Sequence, residues 1–345
     1  MTTKALKADH TAARFNKEEF KKRYNKHVIR KRSMAVLSML FRYVLLITLG
    51  FVILKPVYEV VKQSITAQNA LGMGSSVWVP NAVSRQSLLE SWLILDYPTS
   101  LLYSLFNAAV LAFLQTMCAA FAAYSFARLK FKGSGLLFGF VVFTIIVPPQ
   151  SMMLAQYISL RNFDIFGIIE AITGSPANLI GSTWANYLLA ATGVGVKGGL
   201  YVYILRQSYR QLPVSIEEAA YVDGAGFLKT FFKIVLPGVS SSLLTVAVLS
   251  FVWNYSDTYY SSLLSSTNRN LCLNLQFVQG NMRWAIMDIE DKMPLEYMIS
   301  WDSPMIQNAV ASACALLVIL PLIIMYIFVQ KRFVQGVERS GLGGE

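Results

Sequence analysis

Ile216-Glu217-Glu218-Ala219-Ala220-Tyr221-Val222-Asp223-Gly224, closed further on by Leu236-Pro237, is the stretch on which the reading of this chain turns. It is polar and carries turn signals, yet it lies between long segments almost free of charge. Ser215-Ile216-Glu217-Glu218 has the Ser-x-x-Glu spacing of a capping box. Ser215 would accept from the amide of Glu218, and that carboxylate would reach back to the amide of Ser215. Pro213 just upstream suits an abrupt start. Asp223-Gly224 should end this first helix, because glycine enters the left-handed cap conformation without a Cβ clash. A second helix is expected from Ala225 to Val235, with Phe227, Phe231 and Val235 on one face and Leu228 and Phe232 beside them. Pro237 should break it at the membrane surface. The product is a helical hairpin over residues 213–237. Such a hairpin suits an amphipathic loop resting on headgroups, and it equally suits a docking knob for a groove in a cytoplasmic protein.

Outward from the hairpin the chain is apolar. Of its 345 residues 55% are hydrophobic and 14% charged, against about a quarter charged in soluble proteins. That balance points to an all-α, polytopic integral membrane protein. Six transmembrane helices fit, each long enough for a hydrocarbon core that needs about 20 residues. They are expected near 34–58, 101–127, 136–159, 181–206, 240–263 and 307–330. Pro148-Pro149 should kink or unwind the third. Gly174-Ser175-Pro176 interrupts the apolar run before the fourth, leaving its outer boundary open.

Charge sets the orientation. Residues 1–33 hold eleven Lys and Arg against Asp9, Glu18 and Glu19, so +8 of the net +11 sits in this basic tail. A tail of this kind could bind nucleic acid. Beside a spanning helix it reads as a topology signal attracted to anionic membrane lipid, and no nucleic-acid partner is expected. Arg128, Lys130 and Lys132 have no acidic counterpart in their loop, Arg206, Arg210, Lys229 and Lys233 flank the hairpin, and Lys331 and Arg332 follow the last span. Loop 264–306 instead balances to −2. Both termini, the 128–133 turn and the loop 211–238 are therefore expected in the cytoplasm, and 59–100, 160–180 and 264–306 outside. The organisation is a tail over 1–33, a membrane domain over 34–335 and a short tail over 336–345. The first apolar run is of spanning length and lacks a small-residue cleavage site, so a retained span rather than a signal peptide is expected.

Here the sequence resembles a known family. Glu218-Ala219-Ala220, three residues, Gly224, nine residues, then Ile234-x-Leu236-Pro237 match the loop signature of permease subunits of ATP-binding-cassette importers. Phe106-Asn107, the run Ala123-Tyr124-Ser125-Phe126-Ala127-Arg128-Leu129-Lys130-Phe131-Lys132-Gly133, Leu205-Arg206-Gln207 and Trp253-Asn254 resemble its carbohydrate-uptake, maltose-type branch. The resemblance covers roughly residues 36–335. It implies a type I importer permease in a bacterial inner membrane, paired with a second homologous permease and an extracytoplasmic solute-binding protein. Two ATPase subunits would hold ATP and Mg, and the cargo would be a sugar or oligosaccharide. Glu217, Glu218, Ala219, Ala220, Asp223, Gly224, Leu236 and Pro237 would form the ATPase-coupling segment, with Glu218 paired to a basic residue of the ATPase. The long tail, the extended 264–306 loop, the glycine-rich Thr192–Gly199 stretch with Lys197 and the loosely matching Gly336–Gly341 depart from the family pattern, and they bear on which sugar is carried.

Chemistry within the chain itself is not expected. No G-x-x-x-x-G-K-[ST] loop is present, so ATP should bind elsewhere. The only histidines, His10 and His27, lie in the tail, and no span carries paired carboxylates at helical spacing. That disfavours an enzyme, a metal site and the alternative class, a secondary transporter or channel working without an ATPase. Cys118, Cys272 and Cys314 imply no disulfide framework. Pathway candidates are the polar groups inside spans: Asn107, Gln115, Gln150, Gln156, Trp253, Asn254, Tyr255 and Asp257. Sugars need amides, carboxylates and flat aromatic faces, but Asn and Gln also hydrogen-bond neighbouring helices; both readings stand. Arg42 should snorkel, and Lys197 either faces the pathway or marks the start of the fourth span. Asn268, Asn270, Asn274 and Asn281 with Trp284, Tyr297 and Trp301 make loop 264–306 either a solvated loop or a face for the binding protein.

Overall fold

The computed structural model describes residues 2–71, 78–264, 269–289, 292 and 303–341. Among the described residues the chain is helical, with isolated β-bridges only at Thr66–Val83 and Phe163–Ala177. It divides into two compact units, Met1–Val61 and Lys62–Glu345. The first unit belongs to one helix, α1 (Thr2–Ile65), which runs without interruption from the basic tail through the expected first span. Three charges, Arg42, Lys55 and Glu59, interrupt the apolar run from Met34 to Val61.

In the second unit α2 (Gln86–Ile94) leads into α3 (Tyr97–Arg128), the central helix. Its inner face is small: Ala108, Ala112, Ala119, Ala120 and Ala123 are all buried, which lets neighbouring backbones come close. The third expected span is not a single helix. α4 (Ser134–Ile146) and α5 (Pro149–Arg161) meet at 107°, because Pro148 has no amide to donate and holds Val147 extended. At 13 residues each half is only about 20 Å long.

After the short α6 (Ile168–Thr173), the fourth expected span is also broken. α7 (Thr183–Ala191) and α8 (Gly198–Gln211) are separated by a turn in which Gly193 and Lys197 take φ of +79° and +58°. The glycines here permit close approach. A Cβ on Gly195 would collide with the Gln115 amide, and one on Gly199 would collide with Thr144 of α4. The hairpin segment follows as α9 (Val214–Val222), α10 (Phe227–Thr230), a π-turn over Phe231–Val235 and the single turn α11 (Leu236–Gly238).

α12 (Ser240–Tyr255) leaves that segment at 80° and is itself separated from α13 (Tyr259–Leu264) by Ser256–Thr258, so the fifth expected span ends early as a continuous helix. α14 (Leu271–Gly280) and α15 (Met282–Met287) follow in the 264–306 stretch, and α16 (Pro304–Gly341) contains the last expected span. Pro321 cannot bond to the carbonyl four residues back, and Tyr97 Oη donates to that Leu317 carbonyl at 3.1 Å. Among the described residues three helices are long and apolar enough to cross a membrane, and counting the two bent pairs brings the number to five. The count stops short of six because the 181–206 stretch is divided at Gly193–Lys197.

Candidate functional site

The 213–238 segment is clamped to the end of α3. Glu217 is buried; its Oε2 accepts from Tyr124 Oη at 2.8 Å, and Arg128 Nε lies 2.7 Å from Oε1, an ion pair rather than an aligned hydrogen bond. Arg128 also donates from Nη2 to the Leu212 carbonyl at 2.7 Å, so one guanidinium joins α3, the end of α8 and α9. The Tyr124 ring meets Tyr209, Phe227 and Phe231 at 5.6, 5.8 and 5.0 Å. Phe231 and Val235 are buried with this cluster, whereas Phe227, Leu228 and Phe232 stay exposed, so the expected apolar face is split.

Two local expectations are corrected. The capping box does not form: α9 begins at Val214 after Pro213, no side chain caps it, and Ser215 lies within the first turn. Proline already supplies the extended entry, which removes the need for a serine cap three residues ahead of Glu218. Nor does Pro237 end the second helix. The chain stays helical to Gly238, and the break falls at Val239. The π-turn before Pro237 widens the backbone, with the Leu236 amide reaching Phe231 O, and so eases the ring past the preceding carbonyls.

The glycine expectation holds. Gly224 has φ +76°, Ala225 N donates to Ala220 O and Gly224 N to Tyr221 O, the paired bonds of a Schellman turn. α9 buries only Glu217 and Ala220. It therefore turns Val214, Ile216, Tyr221 and Val222 outward, Val222 being 87% exposed, with Glu218, Ala219, Asp223 and Gly224 beside them. Pro237 is exposed and Leu236 half-buried at the base. Glu218 makes no ion pair or hydrogen bond among the described residues.

The pathway candidates do not form one surface. Gln115 Oε1 accepts from Ser250 Oγ at 2.5 Å and from Asn254 Nδ2 at 2.9 Å, and Asn254 Nδ2 also donates to Ser250 O at 2.7 Å. All three residues are buried, so this amide–hydroxyl knot joins α3 to α12. It borders a cavity of ≈ 20 Å³, which Asn186, Asp257 and Tyr260 help to line. That is room for about one water molecule, not for a sugar.

Asp257 caps α13, its oxygens accepting from Tyr260 N and Ser261 N at 3.3 and 3.0 Å. Tyr255 is buried and its hydroxyl donates to Val318 O at 2.9 Å, so it braces α12 against α16. Asn107 is buried away from this cavity, and Gln150 is exposed on the first turn of α5. Lys197 lies over the ring of the exposed Trp253, 5.1 Å from its centroid.

In the 264–306 loop Asn270 caps α14 through Cys272 N and Leu273 N, and Asn274 donates to Ser100 Oγ at 3.1 Å, so Asn274 ties α14 to α3. Burial pushes the Cys272 thiol up to about 12, which keeps it protonated. Trp284 is exposed, while Asn268, Tyr297 and Trp301 lie outside the described residues. The clamp residues Tyr124 and Arg128 escaped sequence reasoning as a site. Their four-residue spacing at the end of α3, which puts both on one helical face, was the available signal.

An all-helical membrane chain with broken spans and one exposed, clamped loop is the architecture of a transport permease. Residues 115–339 match the family described as the binding-protein-dependent transport system inner membrane component, and the chain belongs to it. It is 26% identical over 221 residues to a probable ABC transporter permease protein of Pyrococcus horikoshii, covering 63% of this chain and 66% of that one. Over 314 residues it is 26% identical to the maltodextrin transport system permease protein of Bacillus subtilis, covering 90% and 98%. Its fold is similar to that of a chain in a bacterial ABC transporter involved in the import of the acidic polysaccharide alginate, with a TM-score of 0.57, 18% identity and coverage of 85% and 95%.

Proposed function

We propose that this chain is the permease subunit of an ABC importer that carries a sugar or oligosaccharide delivered by an extracytoplasmic binding protein. Two partner ATPase subunits bind ATP and Mg and drive it; the chain itself contributes no catalysis. It crosses a bacterial inner membrane six times with both termini in the cytoplasm, the divided α7–α8 stretch supplying the sixth crossing. Family membership and the maltodextrin-system relative support the cargo class.

The observation that carries the reading is the tip of the coupling segment. Val222 and its exposed apolar neighbours sit on a helix whose other side is fastened by Glu217. A tip that is rigidly held and apolar transmits force to whatever seats it, and the unpaired Glu218 beside it suits a basic residue of an ATPase. An open apolar cavity of ≈ 500 Å³ bounded by Ala109, Ala112, Phe113, Leu244, Phe251 and Met325 suits packing of the second permease. Sugar would pass between the two permeases, with Trp253 and Lys197 nearest the route and the Gln115–Asn254 knot holding the helices that move.

The test is Val222→Asp in the reconstituted importer. The chain should fold as before, since Val222 is 87% exposed, while the ATPase subunits are lost on purification and sugar-stimulated ATP hydrolysis falls at least tenfold, about 1.4 kcal/mol of coupling. Unchanged ATPase retention and unchanged hydrolysis would remove the coupling role from this tip.

A further inference from the structure

We propose that the cavity between the Arg128–Ser134 turn and the cytoplasmic end of α8 binds the phosphate headgroup of an anionic phospholipid. The cavity measures ≈ 560 Å³ and is lined by Arg128, Lys130, Lys132, Arg206 and Arg210, with no acidic residue in its wall. Arg128 is already neutralised by Glu217. Lys130, Lys132 and Arg210 make no ion pair or hydrogen bond among the described residues, and like charges gathered in one cavity repel one another until an anion enters.

Arg206 is held ready. Its guanidinium lies 3.8 Å from the centroid of the Phe138 ring, and Nε donates to Phe126 O at 3.2 Å. The plane is thereby fixed, and its terminal amino groups make no bond among the described residues. A flat, preoriented guanidinium suits bidentate contact with phosphate oxygens.

Ser134 also lines the cavity and opens α4, a 13-residue helix whose N-terminus no side chain caps. Unsatisfied amides and the positive end of the helix dipole favour phosphate at that place. Beyond it α4 buries none of its residues, and Leu136, Phe140, Phe143 and Ile146 are all exposed. A cationic cavity opening onto an apolar helix fits a molecule with a phosphate head and an acyl chain. A soluble phosphate compound leaves the apolar wall uncovered, whereas basic pockets beside spanning helices accept anionic lipid. The inference rests on the chain's membrane setting and not on sugar transport or on the ATPase.

The experiment uses the full chain purified in detergent and native mass spectrometry, with phosphatidylglycerol as probe. Phosphatidylcholine and glycerol 3-phosphate test charge and the need for acyl chains. Wild type should retain phosphatidylglycerol over phosphatidylcholine, and glycerol 3-phosphate should bind far more weakly. Lys130→Gln and Lys132→Gln, which alter exposed side chains without partners, should each weaken retention about fivefold and together about 25-fold.

Lys130→Arg with Lys132→Arg should retain the lipid, and Arg161→Gln with Arg283→Gln, far from the cavity, should leave retention unchanged. Equal retention by wild type and the Lys130→Gln/Lys132→Gln double variant would overturn the proposal. So would equal loss in the distant pair, equal binding of phosphatidylcholine, or glycerol 3-phosphate binding as tightly as the lipid. None of these readouts needs ATPase or sugar, so failure here is separable from failure of the transport reading.

Discussion

Two glutamates are buried in this chain by opposite means. Glu217 sits at the coupling segment against a cation, with Arg128 at 2.7 Å and the Tyr124 hydroxyl at 2.8 Å. Glu90, on α2 before the central helix, is as deeply buried but faces neutral donors only. Gln68 Nε2 donates to its Oε2 at 2.7 Å and Gln86 Nε2 to its Oε1 at 3.0 Å, while the two glutamines are joined at 2.9 Å. Burial raises the pKa of Glu90 above its ordinary 4.5, with the two amides pulling partly the other way. One carboxylate fastens a segment by charge. The other ties Gln68 to α2 by hydrogen bonds that tolerate a proton. A charge-paired joint and a hydrogen-bonded clasp thus use the same side chain differently.

The comparison breaks most readily at Glu217. Glu217→Ala leaves Arg128 largely buried without its counter-charge, a loss of about 3–5 kcal/mol. Limited proteolysis should show the 213–238 segment released while the outer loop stays protected, and adding Arg128→Met should restore part of the protection. If the single variant resists protease like wild type, the clamp is not what holds the segment.

A smaller effect belongs to Gly224. Gly224→Ala adds a Cβ that meets no atom within 4 Å, so its cost is conformational. A residue with φ +76° pays roughly 1–2 kcal/mol for carrying a Cβ in the left-handed region. The melting temperature should drop modestly while coupling to the ATPase drops sharply, because the turn aims the tip. Full coupling in this variant would show that the aim of the tip does not matter.

The smallest effect lies at Glu90 and has a sign in pH. In the folded chain its raised pKa means that the proton is held more tightly than in the unfolded chain. Its contribution to stability is therefore greatest below the unfolded value and falls as pH rises through the folded one. Relative to Glu90→Gln, wild type should gain melting temperature on acidification from neutral pH into the ordinary carboxylate range. A gain of the opposite sign, or none, would contradict the clasp.

Much of this was legible in the chain because it depends on local rules. Gly224 could be assigned its left-handed turn from residue type alone, and Pro148-Pro149 announced the bend between α4 and α5. The Ser215 cap was misread because Pro213 competes for the same role within three residues, and spacing cannot say which start wins. The split of the 225–235 face, with Phe231 buried and Leu228 exposed, depends on where α3 lies. Asn107, Gln115, Tyr255 and Gln150 look alike as polar residues in apolar runs, yet they have four different surroundings.

Composition, charge asymmetry and the turn residues of 216–237 by themselves determined that this is a helical membrane chain with a polar helical hairpin between its spans, since hydrophobicity, the positive-inside rule and glycine sterics act over short stretches. Only the tertiary structure decided that Glu217 turns inward to Arg128 while Glu218 stays free, that Gln115 and Asn254 tie helices together, and that the basic turn encloses a cavity. Those outcomes require side chains tens or hundreds of residues apart to meet, and burial of a charge is settled by which partner arrives, not by the residues beside it in sequence.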